Sequence, residues 1–153
     1  MKYLVALCFL LASHHANSAC NAHSDDPVLD QLCGVNVPIN DPIYYTNDDK
    51  ETVILYRVWN SKYPQSRLGR FWSMTRPSGS KDLYRRANAI CPEWSDLTDV
   101  VQCEVAPGAE FIVGTTQAVQ CNNTAYLSND TIQVFVPNAQ KDMINCVDVE
   151  WKQ

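Results

Sequence analysis

The chain has 153 residues, 46% of them apolar, and a formal charge of −5. That length suits one domain built around one core. An acidic chain without a Lys/Arg run is a poor ligand for nucleic-acid backbones or anionic membrane surfaces, which excludes those partner classes.

The N-terminus reads as a secretory signal over residues 1–19. Lys2 precedes an apolar run from Tyr3 to Ala12, and small residues (Ala16, Ser18, Ala19) follow where cleavage would fall, after Ser18 or Ala19. The run is too short to span a bilayer, which needs about 20 residues. Loss of Lys2 with this leader, and of no acid, takes the formal charge from −5 to −6. Of the seven cysteines, Cys8 leaves with it. Cys20, Cys33, Cys91, Cys103, Cys121 and Cys146 remain, enough for up to three disulfides in any of fifteen pairings. None of these is spaced C-x₂₋₄-C, and His23 is the only histidine beyond the signal, so no metal site is expected.

Residues 20–51 are rich in Asp, Asn and Pro and read as an irregular collar. It carries one short helical turn, capped by Ser24, containing Val28, Leu29 and Leu32 and stopped by Gly34. The strongest strand signal follows at Thr52–Trp59 (TVILYRVW), β-branched and aromatic, without Gly or Pro. Residues 60–80 form a loop holding LGRFW and closing in turn signals at Pro77 and Gly79. Ser80 caps a helix through Ile90, with Leu83, Ala87 and Ile90 on one face. Further strands are expected at Asp99–Val105, Glu110–Gly114, Thr131–Val136 and Cys146–Trp151, with a turn at Ala106–Gly108. Within Thr131–Val136, alternation sets Ile132, Val134 and Val136 on one side and Gln133 and Phe135 on the other. Sequons at Asn122 and Asn129 put Asn122–Thr131 on the surface if the chain enters a eukaryotic secretory route. The expected class is α+β: a small, mainly β core with one or two short helices, stapled by disulfides, over residues 52–153.

Absences narrow the chemistry. One histidine cannot build a Ser–His–Asp or Cys–His arrangement, and no Gly-rich phosphate loop occurs. Asp148 and Glu150 alternate onto one strand face, as a catalytic carboxylate pair or as the wet face of an edge strand. More distinctive are polar residues where a β core should not want them. Arg57 interrupts VILYRVW, Arg70 lies beside Phe71 and Trp72, Arg85 and Arg86 sit in the short helix, and Gln133 opens QVFVP. Arginine meets phosphate oxygens bidentately, and aromatic rings stack on a heteroaromatic base. The plain alternative makes Arg57 a half-buried arginine paired with a carboxylate, Trp72 a core residue, and the other arginines solvated surface charge.

In order, LGRFW (Leu68–Trp72), YRRANAICPEW (Tyr84–Trp94), the V-x-P-G turn at Val105–Gly108 and TIQVFVP (Thr131–Pro137) resemble the NAD glycohydrolases related to the tuberculosis necrotizing toxin, including secreted fungal members. The likeness covers roughly Thr52–Trp151. It implies a secreted enzyme that cleaves the nicotinamide–ribose bond, with NAD or NADP as substrate and neither cofactor nor metal. It implies Gln133 as the catalytic glutamine, and Arg70 with Arg85 or Arg86 as phosphate-binding arginines. Phe71 or Trp72 becomes the nicotinamide-side aromatic. The sequence departs from the pattern in two places: the family's Gly-Gly-Gly-x-Gln is here Ser128-Asn129-Asp130-Thr131-Ile132-Gln133, and no active-site histidine is available. Gln117, in VGTTQAVQC, is a rival glutamine.

Two other readings share the residues. A secreted mono-ADP-ribosyltransferase would use Arg57, Ser73 or Thr75, and Asp148-x-Glu150. A non-enzymatic disulfide-rich inhibitor or adhesin would use the signal, cysteines and strands alone, leaving the ordered Arg/aromatic/Gln set unexplained.

Overall fold

A computed structural model describes residues 39–48 and 50–152. The expected signal, Cys20, Cys33, His23 and the turn from Ser24 to Gly34 lie outside the described residues. Among the described residues nine strands and two short α-helices follow one another: β1 (Asn40–Thr46), β2 (Ile54–Trp59), β3 (Phe71–Trp72), α1 (Lys81–Ala87), β4 (Asp99–Val105), β5 (Glu110–Thr116), β6 (Val119–Gln120), β7 (Ala125–Tyr126), β8 (Asn129–Phe135), α2 (Ala139–Asp142) and β9 (Met143–Val149). The α+β class, dominated by strands and stapled by disulfides, is the one expected. Among the described residues no helix is long and apolar enough to cross a membrane.

The strands form a four-stranded sheet in the order β1-β5-β8-β3, a three-stranded sheet in the order β2-β4-β9 and the β6–β7 ribbon. All named pairings are antiparallel. The alternation in DVVQCEV turns Val101, Cys103 and Val105 of β4 into one core with Leu55, Trp72, Phe111, Val134 and Val136, which come from both larger sheets. Val100 faces the other way, with Val58 and Leu97, against Tyr84 and Trp151. On the opposite face of the four-stranded sheet, Ile39, Ile112 and Phe135 make a smaller cluster. The two larger sheets meet at β3: Phe71 and Trp72 pair with Phe135 and Val134, while the next residue, Ser73, bridges Tyr56 of β2.

Most strand boundaries fall where alternation puts them, and Gly108, at φ +73, makes the Ala106–Gly108 turn. Three expectations are corrected. The collar is not irregular throughout, because Asn40–Thr46 is an edge strand paired with β5. Its Asp/Pro signal is absorbed by a bulge between Asn40 and Ile43 with Asp41 at φ 48, after which IYYT pairs regularly. The helix after Ser80 ends at Ala87 rather than Ile90 and turns Tyr84 inward, while Leu83 is 67% exposed. Tyr84 wins that face by packing edge-on against Trp151, 5.2 Å between ring centroids. The last strand ends at Val149 but starts earlier than expected, at Met143. Ser80 caps α1 as expected, its hydroxyl accepting from the Leu83 N–H.

Two disulfides occur among the described residues. Cys103–Cys146 joins neighbouring strands β4 and β9, and Cys91–Cys121 ties the loop after α1 to the end of β6. Each closes a long loop, spanning 43 and 30 residues, for which the chain-entropy argument gives about 4 kcal/mol apiece.

Candidate functional site

Where β2, β3 and β8 come together under the α1–β4 connection, a cavity of about 430 Å³ opens. Four of the residues singled out in the sequence line it: Arg57 from β2, Phe71 and Trp72 from β3, and Gln133 from β8. The rival glutamine, Gln117, lines it as well. Trp59, Tyr84 and Trp94 complete a largely aromatic wall, with Asn88, Ser66 and Ser95 as further polar groups.

Among the described residues Arg57 is the only charged one on this lining. Its Nε donates to the Ser66 carbonyl at 2.8 Å and its Nη1 to the Phe71 carbonyl at 2.6 Å. No carboxylate pairs with it among the described residues. Nη2 has no protein hydrogen bond among the described residues. Burial, opposed by the Tyr84 phenol, lowers its pKa from the usual guanidinium value. Arg57 is half-buried, as the plain reading has it, but the carboxylate partner of that reading is not met: backbone carbonyls take the place of a counter-ion.

The guanidinium has room only because residue 69 is glycine. A Cβ at Gly69 would land on the Arg57 Cζ and Nη2 atoms. Gly69 does not have a positive φ, so space and not backbone conformation is what the glycine provides. Tyr84 sits close to the same charge, its phenol pushed up to about 12 by burial against the opposing effects of Arg57 and the Val58 N–H.

Gln133 is 7% exposed, on an interior strand. Its Nε2 donates to the Asn88 carbonyl at 2.9 Å. That bond orients the amide, and Oε1 accepts no hydrogen bond among the described residues. Phe71 is half-buried and packs edge-on against Phe135, 5.2 Å between centroids. Trp72 belongs mainly to the core at 3% exposure. The indole N–H groups of Trp59 and Trp72 are buried without a partner among the described residues.

The remaining arginines lie off this lining. Arg70 is exposed. Arg85 spends its guanidinium on the carbonyls of Ile90, Cys91 and Ser95, at 3.3, 3.1 and 2.8 Å, and so holds the loop that roofs the cavity. Arg86 is exposed and borders a second, more polar hollow of about 340 Å³ with Tyr126 and Asn129. Asp148 pairs with Arg67 at 2.9 Å on the exposed edge strand β9, and Glu150 is exposed just beyond it; neither lines the cavity. Ser73 is buried beside β2, its hydroxyl donating to the Thr75 carbonyl at 3.0 Å and accepting from the Thr75 N–H.

Sequence reasoning missed Trp59, Tyr84, Asn88 and Trp94. The pair Tyr84 and Asn88 had a legible signal, since residues four apart share a helix face. A further cluster, Cys91, Glu93 and Cys121, brings three donor-type side chains together. Both sulfurs are consumed in the disulfide and Glu93 accepts from the Asn122 N–H at 2.7 Å, so it offers no thiolate to a metal. The sequon residue Asn122 is exposed on the β6–β7 ribbon, and Asn129 is half-buried at the start of β8. Compared with known proteins, the chain matches no family model, no curated protein and no solved structure.

Proposed function

We propose that the protein is an NAD glycohydrolase, exported through its N-terminal signal, that transfers the ADP-ribosyl group of NAD to water, giving ADP-ribose and nicotinamide. The observation that carries the reading is the convergence on one cavity of a half-buried Arg57 with no carboxylate partner among the described residues, the buried amide of Gln133 and the ring of Phe71. They supply an anion partner, a ribose-orienting group and a flat apolar face. These are the residue types that the resemblance to the toxin-related glycohydrolases implies, with Arg57 taking the phosphate role in place of Arg70, Arg85 and Arg86.

The chemistry asks little of a general base. The C1′–N1 bond breaks with its electron pair on nicotinamide, which departs as a neutral molecule. The ribosyl carbon gains oxocarbenium character, a water oxygen bonds to C1′, and its proton passes to solvent. An amide has no useful basicity, so Gln133 acts by hydrogen bonding through Oε1 to the ribose and stabilising the developing charge. Arg57 holds phosphate away from the reacting carbon and positions the sugar. A transferase would need an acidic residue at the reacting carbon to activate its acceptor, and the Asp148/Glu150 pair does not line the cavity. Water is therefore the acceptor favoured.

The test is disulfide-intact protein incubated with NAD alone, following nicotinamide release. Turnover without an acceptor is expected, and Gln133→Ala should lower kcat about 10²–10³-fold, as for loss of one transition-state hydrogen-bonding group. Label passing to an added protein or nucleic acid, with no release in its absence, would move the answer to the transferase. A Gln117→Ala enzyme that is dead beside an active Gln133→Ala enzyme would reverse the assignment of the glutamine.

A further inference from the structure

Resting on the glycohydrolase reading, we infer that the cavity recognises a single ribose 5′-phosphate unit, so that nicotinamide mononucleotide is a substrate in its own right and the adenylate half of NAD is dispensable.

Charge is the first ground. A dinucleotide presents two phosphates, and among the described residues the cavity lining offers one cation, Arg57, with no lysine or second arginine to share the load. Arg70 is exposed and off the lining, and the Arg85 guanidinium is committed to three backbone carbonyls. Arg86 borders a different hollow. With Nε and Nη1 each donating to a backbone carbonyl, Nη2 is the guanidinium nitrogen left without a hydrogen bond among the described residues, which suits a contact to one phosphate and not to two.

Size is the second. At about 430 Å³ the cavity is near the low end of the roughly 300–1,000 Å³ typical of small-molecule sites. A mononucleotide suits that space, and a dinucleotide has about twice the atoms to house. Chemistry of the walls is the third. The polar groups on the lining are few, with Gln133 and Asn88 among them, while Trp59, Phe71, Tyr84 and Trp94 suit one flat ring. Among the described residues the lining carries no carboxylate that would repel the phosphate.

The reaction balances without a further reagent. Nicotinamide mononucleotide and water give ribose 5-phosphate, nicotinamide and a proton; the C1′–N1 bond breaks onto nitrogen and the water oxygen bonds to C1′.

Three compounds tested side by side on the disulfide-intact protein decide it: NAD, nicotinamide mononucleotide and nicotinamide riboside, each followed by nicotinamide release. The mononucleotide should reach a kcat/KM within about 10-fold of that for NAD, because the discarded half contributes no charged contact in the cavity. The riboside, lacking the phosphate, should be about 10–100-fold poorer than the mononucleotide, the value of one charge-assisted contact. Arg57→Lys, which keeps a cation in place, should retain part of that ratio, and Arg57→Gln should erase it. Since the ratio is read first on the unaltered protein, a variant that fails to fold does not decide the matter. Cleavage of NAD with the mononucleotide more than about 100-fold slower would overturn this inference and leave the glycohydrolase reading standing. Equal rates for mononucleotide and riboside would overturn the phosphate contact. No release from any of the three would remove both.

Discussion

Replacing Gly69 by alanine tests whether Arg57 is held where the cavity needs it. The backbone there suits alanine, so the cost comes from the methyl group, which would occupy the space of the guanidinium. Arg57 can yield only by giving up its bonds to the Ser66 and Phe71 carbonyls. Each such charge-assisted bond is worth about 1.5–3 kcal/mol. Overpacking elsewhere costs about 1–3 kcal/mol, and partial relaxation brings the expectation to about 2–4 kcal/mol. For a domain of this size that lowers Tm by roughly 10–25 °C. Nicotinamide release should fall with it, because the displaced cation no longer meets phosphate. The mechanism is separated from general damage by a double-mutant cycle. With Arg57→Ala in the background the clash is gone, so Gly69→Ala should then cost almost nothing, a coupling of about 2–4 kcal/mol. Urea unfolding of the four disulfide-intact proteins reads it directly. Additivity to within about 0.5 kcal/mol would refute the packing argument, as would a Gly69→Ala protein with normal Tm and turnover.

How much could be read beforehand follows from what each residue's partners are. The strand sequences TVILYRVW, DVVQCEV and TIQVFVP announce themselves because their apolar residues recur with a period of two and their neighbours in the sheet share that period. The class, most strands and the Ser80 cap were legible for that reason. Asn40–Thr46 was not: its early residues are turn formers, and only its register with β5 makes a strand of it. The face of α1 was misread because Leu83 and Tyr84 compete for one inward position, and a tertiary contact with Trp151 decides in favour of tyrosine. At the site, Arg57 and Gln133 were legible as polar residues in apolar strands. Composition alone could not sort the arginines. Arg57 and Arg85 are both buried enough to need partners; one finds two carbonyls and a cavity, the other three carbonyls and no cavity. Gly69 looked like one loop glycine among others until the side chain above it was known.

Two further predictions concern groups around the cavity. Tyr84, whose phenol is pushed up to about 12 from an ordinary 10.0, stays neutral in the native protein while it ionises in the unfolded chain. Above pH 10 the unfolded state thus binds fewer protons and stability falls as pH rises toward about 12, by at most about 3 kcal/mol. Tyr84→Phe should flatten that decline in urea unfolding between those limits, and equal slopes in both proteins would count against it. The disulfides should separate stability from function. Removing either one, as Cys91→Ala/Cys121→Ala or as Cys103→Ala/Cys146→Ala, deletes a loop constraint of similar size and should lower Tm comparably. Their neighbourhoods differ, though. Cys91 follows Ala89 and Ile90, and Cys121 comes two residues after Val119, all three of them cavity-lining, whereas Cys103–Cys146 staples two paired strands of the sheet. Well below both melting temperatures, the Cys91/Cys121 variant should therefore release nicotinamide at least about 10-fold more slowly, as expected when positioning is lost. The Cys103/Cys146 variant should keep most of its rate. A common loss in the two, or none in either, would mean that the loop bridge does not shape the cavity, and the wall between Ala89 and Leu97 would have to be held by the Arg85 contacts alone.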